Sequence, residues 1–207
     1  MRTDTDNAAL RWRTYGYWAG INLLVFGVVY PLVNWLTGIR AHNYDLYLDS
    51  ERTIPFFPAW IWVYLSINLL FMAPPLVMRA SAMPLLGKRM LAATLAACAI
   101  FLILPARLGF ERVVPEDALY QAVFSALFRA DGPHNLMPSL HVSYASLCIL
   151  SCQSAAHGRL GRVTWGLWLL AIVMSTVLVH QHHLLDIASG LVLAGVICLA
   201  LPSRDCP

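Results

Sequence analysis

The chain reads as an all-α, polytopic membrane bundle of about six transmembrane helices with both termini in the cytoplasm. Three observations predict this. Of 207 residues, 59% are hydrophobic and only 12% charged, far below the roughly 25% charge of soluble domains. Apolar runs recur that can cross a hydrocarbon core roughly 30 Å thick, which takes about 20 residues per helix. Basic residues gather in alternate connections, as the positive-inside rule expects.

The runs place spans at about 15–37, 57–78, 89–109, 137–156, 164–181 and 184–201. Trp12, Trp18 and Trp35 flank the first, Trp60 and Trp62 open the second, and Trp165 and Trp168 open the fifth, as an interfacial aromatic belt requires. Pro74-Pro75 should kink the second span near its end. The stretch Leu119 to Phe128 has the pattern of an amphipathic helix lying on the membrane surface. Arg129 and Asp131, which follow it, read as a solvated face. The whole of 1–207 is expected to be one membrane-embedded domain, with its chemistry-bearing motifs in about 100–195.

Charge orients the bundle. Arg2, Arg11, Arg13, Arg79, Lys88, Arg89, Arg159, Arg162 and Arg204 fall on one side, and Arg40, Arg52, Arg107, Arg112 and Arg129 on the other. The first side is therefore cytoplasmic, and the 38–56 segment, the 106–136 segment and the 181–184 turn face outward. A net charge of +3 without clustering gives no footprint for nucleic acid. Asp4 and Asp6, followed by a run long enough to span, do not fit a cleavable signal peptide. Cys98, Cys148, Cys152 and Cys198 lie in apolar runs as small hydrophobes, and the tail Asp205-Cys206-Pro207 does not fit prenylation.

Two polar islands interrupt the apolar chain: Pro138-Ser139-Leu140-His141, and Ser175-Thr176 with His180, His182, His183 and Asp186. Ionisable groups within or beside spanning helices are costly, which makes function their default reading. The predicted topology brings both islands, Arg107 and Arg112 to one membrane face. His182 and Asp186, four apart, can meet on one helix face. A carboxylate on one ring nitrogen leaves the other as a nucleophile or base; alternatively, Asp186 is the N-cap of the last helix and His182 an interfacial group. His141 follows Pro138-Ser139 at a helix start, where free N–H groups favour an anion and an imidazole could protonate a leaving oxygen. Ser139 could equally be only a cap. Arg107 and Arg112 can fork onto phosphate oxygens or anchor at lipid headgroups.

Pro-Ser-Leu-His at 138–141 preceded by Asn135, with Ser175 and His182-x-x-x-Asp186, resembles the second and third motifs of the type 2 phosphatidic acid phosphatase superfamily. Leu140 and Asn135 are similar to its inositol phosphorylceramide synthase-like branch. The resemblance implies that His182 is a nucleophile forming a phosphohistidine, oriented by Asp186, with His141 as general acid. It implies phosphate binding by Ser139 and its neighbours, with Asn135 and Ser175 in the same motifs and Arg107 and Arg112 standing in for the family's first-motif cations. It also implies no metal or other cofactor. Family spacing selects His182 over His180 and His183. Two departures stand out: Thr176 occupies the place of the third-motif arginine, and the first-motif Lys/Arg string is absent.

The resulting expectation is a metal-independent lipid phosphate phosphatase acting at the outer face on a phosphorylated membrane lipid. A bacterial inner membrane with the site towards the periplasm or exterior is the expected location. A phosphotransferase would use the same histidines; the length leaves little room for a large acceptor-binding domain, which favours hydrolysis. An intramembrane zinc hydrolase with His141, His182 and Asp186 as ligands is chemically acceptable. A small transporter would place its polar groups near the midplane instead.

Overall fold

A computed structural model describes residues 7–153 and 158–203, all helix and connection. Arg2, Asp4, Asp6, Arg204, Asp205 and Cys206, singled out by sequence, lie outside these residues. Among the described residues, three helices are long and apolar enough to cross a membrane: Ala8–Gly38, the stretch Ala80–Ile103, and Gly158–Leu178. They mark the chain as an integral membrane protein. Pro58–Phe71 and Leu184–Ala200 are shorter apolar helical stretches.

Helix α1 (Ala8–Gly38) starts at Asn7, whose side chain accepts the Leu10 N–H at 2.7 Å. It packs along α5 (Met83–Ile103), and Asn22 Nδ2 crosses to Gly87 O at 3.1 Å. The expected second span is broken more deeply than one proline kink. After a 3-10 turn at Pro58–Trp60 it runs as α2 (Ile61–Leu65), α3 (Ile67–Phe71) and α4 (Pro74–Val77). At Ser66 both the backbone N–H and the hydroxyl donate to Val63 O, at 3.1 and 2.6 Å, tightening the turn. Pro74 and Pro75 lack the N–H groups that Leu70 and Phe71 carbonyls would normally receive. Tyr15 Oη donates to Phe71 O at 2.7 Å, and Ala73 N and Cys148 Sγ donate to Leu70 O at 3.0 and 3.5 Å. Neighbouring elements thus satisfy the break, as a low-dielectric surrounding demands.

Several helix ends depart from the sequence reading, and two of these departures change what a residue does. Helix α5 begins before residue 89, so Arg89 lies within it and is buried, not in a cytoplasmic loop. Its Nε and Nη2 donate to Leu201 O at 3.0 and 2.8 Å, capping the C-terminal end of α9 (Leu184–Ala200), where a cation is favoured. The expected fourth span is only α7 (Leu140–Gln153), 14 residues or about 21 Å of rise. It is the central helix, packed against α3, α4, α5, α8 (Gly158–Leu178) and α9. Ser143, Ser146 and Ser151 hydroxyls turn back onto carbonyls one turn earlier, so small buried polar residues let neighbours approach closely.

Helix α6 (Ala118–Ala130) coincides with the expected amphipathic segment. Asp117 caps it through the Leu119 and Tyr120 N–H groups. Phe124 is its buried anchor, against Ile61, Tyr64 and Val179.

Candidate functional site

The N-terminal end of α7, the C-terminal end of α8 and the N-terminal end of α9 meet at one end of the bundle. The two polar islands are joined directly there. Ser139 N–H donates to Asp186 O at 3.0 Å, and Ser143 Oγ donates to Gly190 O at 2.9 Å. The contact requires a glycine, because a Cβ at Gly190 would lie 2.7 Å from Ser139 O and 3.2 Å from Val142 Cβ. Ser139 precedes α7 and its Oγ accepts the Val142 N–H at 3.3 Å. His141 is then the second residue of the helix. Its ring stacks on Tyr64 (centroids 4.0 Å apart, 16° between planes) and its Nε2 lies 3.1 Å from Tyr64 O. A carbonyl can only accept, so Nε2 carries the hydrogen and Nδ1 is the free nitrogen.

His182 reaches the same place on a tight turn after α8. His180 N donates to Val177 O at 2.9 Å and Gln181 N to Thr176 O at 2.9 Å, the two bonds of a Schellman motif. The residue in the left-handed position is His180, φ +55°, where glycine is usual. His182 N adds a second bond to Thr176 O at 3.0 Å. Thr176, the residue in the family's arginine position, is fully buried, and its hydroxyl donates to Val173 O. It serves the turn through its carbonyl.

His182 and Asp186 are both buried, with His182 Nδ1 3.5 Å from Asp186 Oδ2. That is longer than a good hydrogen bond, and such contacts in unliganded sites commonly tighten on substrate binding. Asp186 is not the N-cap of α9, as one sequence alternative had it. His183 holds that position with extended backbone, and Asp186, three residues on, reaches back so that Oδ2 accepts the His183 N–H at 2.8 Å. Its Oδ1 and His182 Nδ1 are buried and find no hydrogen-bond partner among the described residues.

His183 is occupied on both nitrogens. Nε2 accepts the Gly109 N–H at 3.0 Å, and Nδ1 donates to Glu51 Oε2 at 3.1 Å. Phe110 and Tyr47 stack on its two sides, centroids at 4.3 and 4.6 Å. Burial lowers its pKa, and nearby Asp186 and Glu51 counter this only partly. His180 is also structural: Nε2 donates to Ile54 O at 2.9 Å and Phe110 stacks on the ring at 4.1 Å. Of the three clustered histidines, His182 alone keeps its ring free of such ties to backbone carbonyls, amides or aromatic neighbours among the described residues. Glu51, Tyr64, Gly109, Phe110 and Tyr47 carried no sequence signal; each stands in a loop or apolar run indistinguishable from its surroundings.

The remaining sequence candidates divide. Asn135 is buried, with Oδ1 accepting from Thr37 Oγ1 at 2.9 Å and Nδ2 without a partner among the described residues. Arg112 is partly buried; Nη1 donates to Asp131 O and Phe128 O at 2.8 and 3.3 Å, the guanidinium lies 4.9 Å over the Phe128 ring, and Nε is unpartnered in the same sense. Arg107 instead points outward in a bidentate pair with Asp45 at 2.9 and 2.8 Å, with more than half its side chain exposed. Ser175 is buried and its hydroxyl proton goes to Ile172 O at 2.6 Å. Asp131 is not part of a solvated face: its Oδ1 accepts from Tyr30 Oη. Burial raises its pKa, with Tyr30, His182 and Arg112 opposing that shift.

An open cleft is lined by Arg52, Thr53, Gly109, Phe110, Glu111 and His180 among others; neither His141 nor His182 lines it. Among the described residues, no three His, Cys, Asp or Glu side chains are grouped to hold a metal ion. No curated protein and no solved structure matches the chain. Residues 42–200 match the family model of the PAP2 superfamily. Such membership implies a phosphatase or phosphotransferase acting on phosphate esters, and with more than half its length matched the chain belongs to the PAP2 superfamily.

Proposed function

We propose that the protein is a metal-independent lipid phosphate phosphatase working through a phosphohistidine at the outer membrane face. The observation that carries this reading is the pairing of His182 with Asp186, whose carbonyl accepts the Ser139 N–H two residues before His141, while His180 and His183 are taken up by the scaffold. His182 Nε2 attacks phosphorus, forming an N–P bond as the P–O bond to the lipid alcohol breaks. His141 enters the step as the imidazolium, its Nε2–H held by Tyr64 O, and delivers its second proton from Nδ1 to the departing oxygen. The neutral His141 then takes a proton from water as the hydroxide oxygen attacks, releasing inorganic phosphate and restoring His182. Asp186 stabilises the imidazolium character that develops on His182. Arg112 Nε and Asn135 Nδ2 are the unpartnered donors available for phosphate oxygens.

The outer-face placement follows the charge asymmetry of the connections, with six spans formed by α1, the broken α2–α4 stretch, α5, α7, α8 and α9. An acceptor alcohol in place of water gives the transferase of the inositol phosphorylceramide synthase-like branch, the alternative that Leu140 and Asn135 favour. The zinc reading lacks a grouped ligand trio among the described residues.

The test is phosphate release by purified protein from polyprenyl and glycerolipid phosphates with EDTA present, with and without a lipid alcohol acceptor. Release without acceptor supports the phosphatase; product only with acceptor moves the assignment to the transferase. Full activity in His182→Ala removes the proposed nucleophile, and zinc-restored activity in place of EDTA-resistant activity removes the metal-independent mechanism. A Cys introduced in the 106–136 segment should be labelled from outside; labelling only from the cytoplasm reverses the orientation.

A further inference from the structure

Glu51 lies in the connection between α1 and α2, far in sequence from both motifs, and is 4% exposed. Its two oxygens have three donors. Oε1 accepts the Leu48 N–H at 3.0 Å, closing its own 3-10 turn (Asp49–Thr53). Oε2 accepts the Leu184 N–H at 2.8 Å and His183 Nδ1–H at 3.1 Å. Leu184 is the first residue of α9, so a carboxylate from a remote loop satisfies one of that helix's free N-terminal donors. Burial opposes the charge on Glu51, but the Leu184 and Leu48 N–H groups and His183 outweigh it and hold the carboxyl below its ordinary range. Glu51 therefore stays ionised at neutral pH, with no phosphate-binding role open to it.

The residue gripped on both its ring and the following amide is the immediate neighbour of His182. We propose that Glu51 is a positioning residue for the reaction: through His183 and the Leu184 N–H it fixes the turn that aims His182 at phosphorus. This rests on His182 being the nucleophile. Asp186 holds the His183 N–H from inside α9, Gly109 holds the other ring nitrogen, and Glu51 supplies the constraint from the first connection. Loss of that grip lets the His183 ring rotate and the 182–184 backbone shift, while Arg112 and Asn135 keep their own supports, at the C-terminal end of α6 and on α1. Chemistry should suffer and substrate binding should not.

The experiment compares Glu51→Gln, Glu51→Asp, His183→Gln and the double variant Glu51→Gln/His183→Gln with wild type and His182→Ala, in detergent, on whichever lipid phosphate the wild type hydrolyses. A misplacement near 1 Å can cost up to about 100-fold in rate. Glu51→Gln and His183→Gln should each lower kcat by roughly 10- to 100-fold with KM within about twofold, and Glu51→Asp should recover part of the loss. The double variant should be no slower than the worse single one, because both act through one contact. Unchanged kcat in a folded Glu51→Gln protein, a loss confined to KM, or multiplicative losses in the double variant would each overturn the proposal. An active His182→Ala protein overturns the nucleophile assignment itself, which separates that failure from a failure of Glu51 alone.

Discussion

Replacing Gly190 with alanine tests whether the α7–α9 contact holds the two histidines in register. The added Cβ would stand 2.7 Å from Ser139 O, 3.2 Å from Val142 Cβ and 3.4 Å from Ser139 Cβ. The first of these is a backbone atom immediately before the central helix α7 and cannot swing aside, so the helices must separate by several tenths of an ångström. Overpacking of this kind costs about 1–3 kcal/mol, offset by roughly 0.5–1 kcal/mol of helix propensity gained over glycine. The same separation lengthens the Ser139 N–Asp186 O and Ser143 Oγ–Gly190 O bonds, at 3.0 and 2.9 Å, that tie His141's helix to His182's carboxylate. Gly190→Ala should therefore lower the unfolding temperature in detergent by a few degrees, at about 2–4 °C per kcal/mol. Its kcat should fall at least about tenfold. Gly195→Ala on the same helix is the control: nothing lies within 4 Å of its Cβ position, so stability should hold or rise. Equal behaviour of the two variants in thermal unfolding and turnover would refute the reasoning.

Three further outcomes are expected. Arg112→Ala should raise KM for a lipid phosphate at least about tenfold, charged hydrogen bonds being worth about 1.5–3 kcal/mol, whereas Arg107→Ala, which breaks only an exposed pair with Asp45, should change steady-state kinetics little. Tyr15→Phe leaves the Phe71 carbonyl without the donor that Pro75 cannot supply; unfolding should be easier by about 1–3 kcal/mol with kcat retained. Asp131 has a folded pKa raised chiefly by burial, so the stability it confers is present below its unfolded pKa and is lost as pH rises through the folded value. Asp131→Asn should flatten the decline of unfolding temperature as pH rises above the ordinary carboxylate range, and an unchanged slope would count against a buried carboxylate there.

The long apolar runs were legible because composition and length alone decide them: α1 and α8 cover most of their predicted runs, and α5 overlaps its run but begins and ends nearer the N-terminus. The broken second stretch was only half legible. Pro74-Pro75 announces itself, whereas the tightening at Ser66 depends on a local hydroxyl bond and on Trp168 Nε1 donating to its Oγ from another helix. Arg89 was misplaced because a cation near a run's end reads as loop, and only the position of Leu201 reveals a buried cap. His141, His182 and Asp186 converge because motif spacing encodes their depth. Glu51 could not be read: its role is created by a turn more than 130 positions away. The pair Gly190 and Gly195 looked equivalent in sequence and differ only in what each faces.

Tyr47, His183, Phe110 and His180 form a continuous pile of rings, with successive centroids 4.6, 4.3 and 4.1 Å apart, and Phe56 tilts against its end at 5.2 Å. The rings come from three separate connections, yet each imidazole is also pinned through its edge to backbone of another connection, Gly109 or Ile54. None of the three can lift without unstacking the others. They should accordingly open as one cooperative unit, with the amides of 44–57, 105–112 and 179–184 exchanging hydrogen at a common opening free energy. In mechanical terms this end of the bundle is a riveted plate, and ordinary loop tolerance to insertion or shortening does not apply to it.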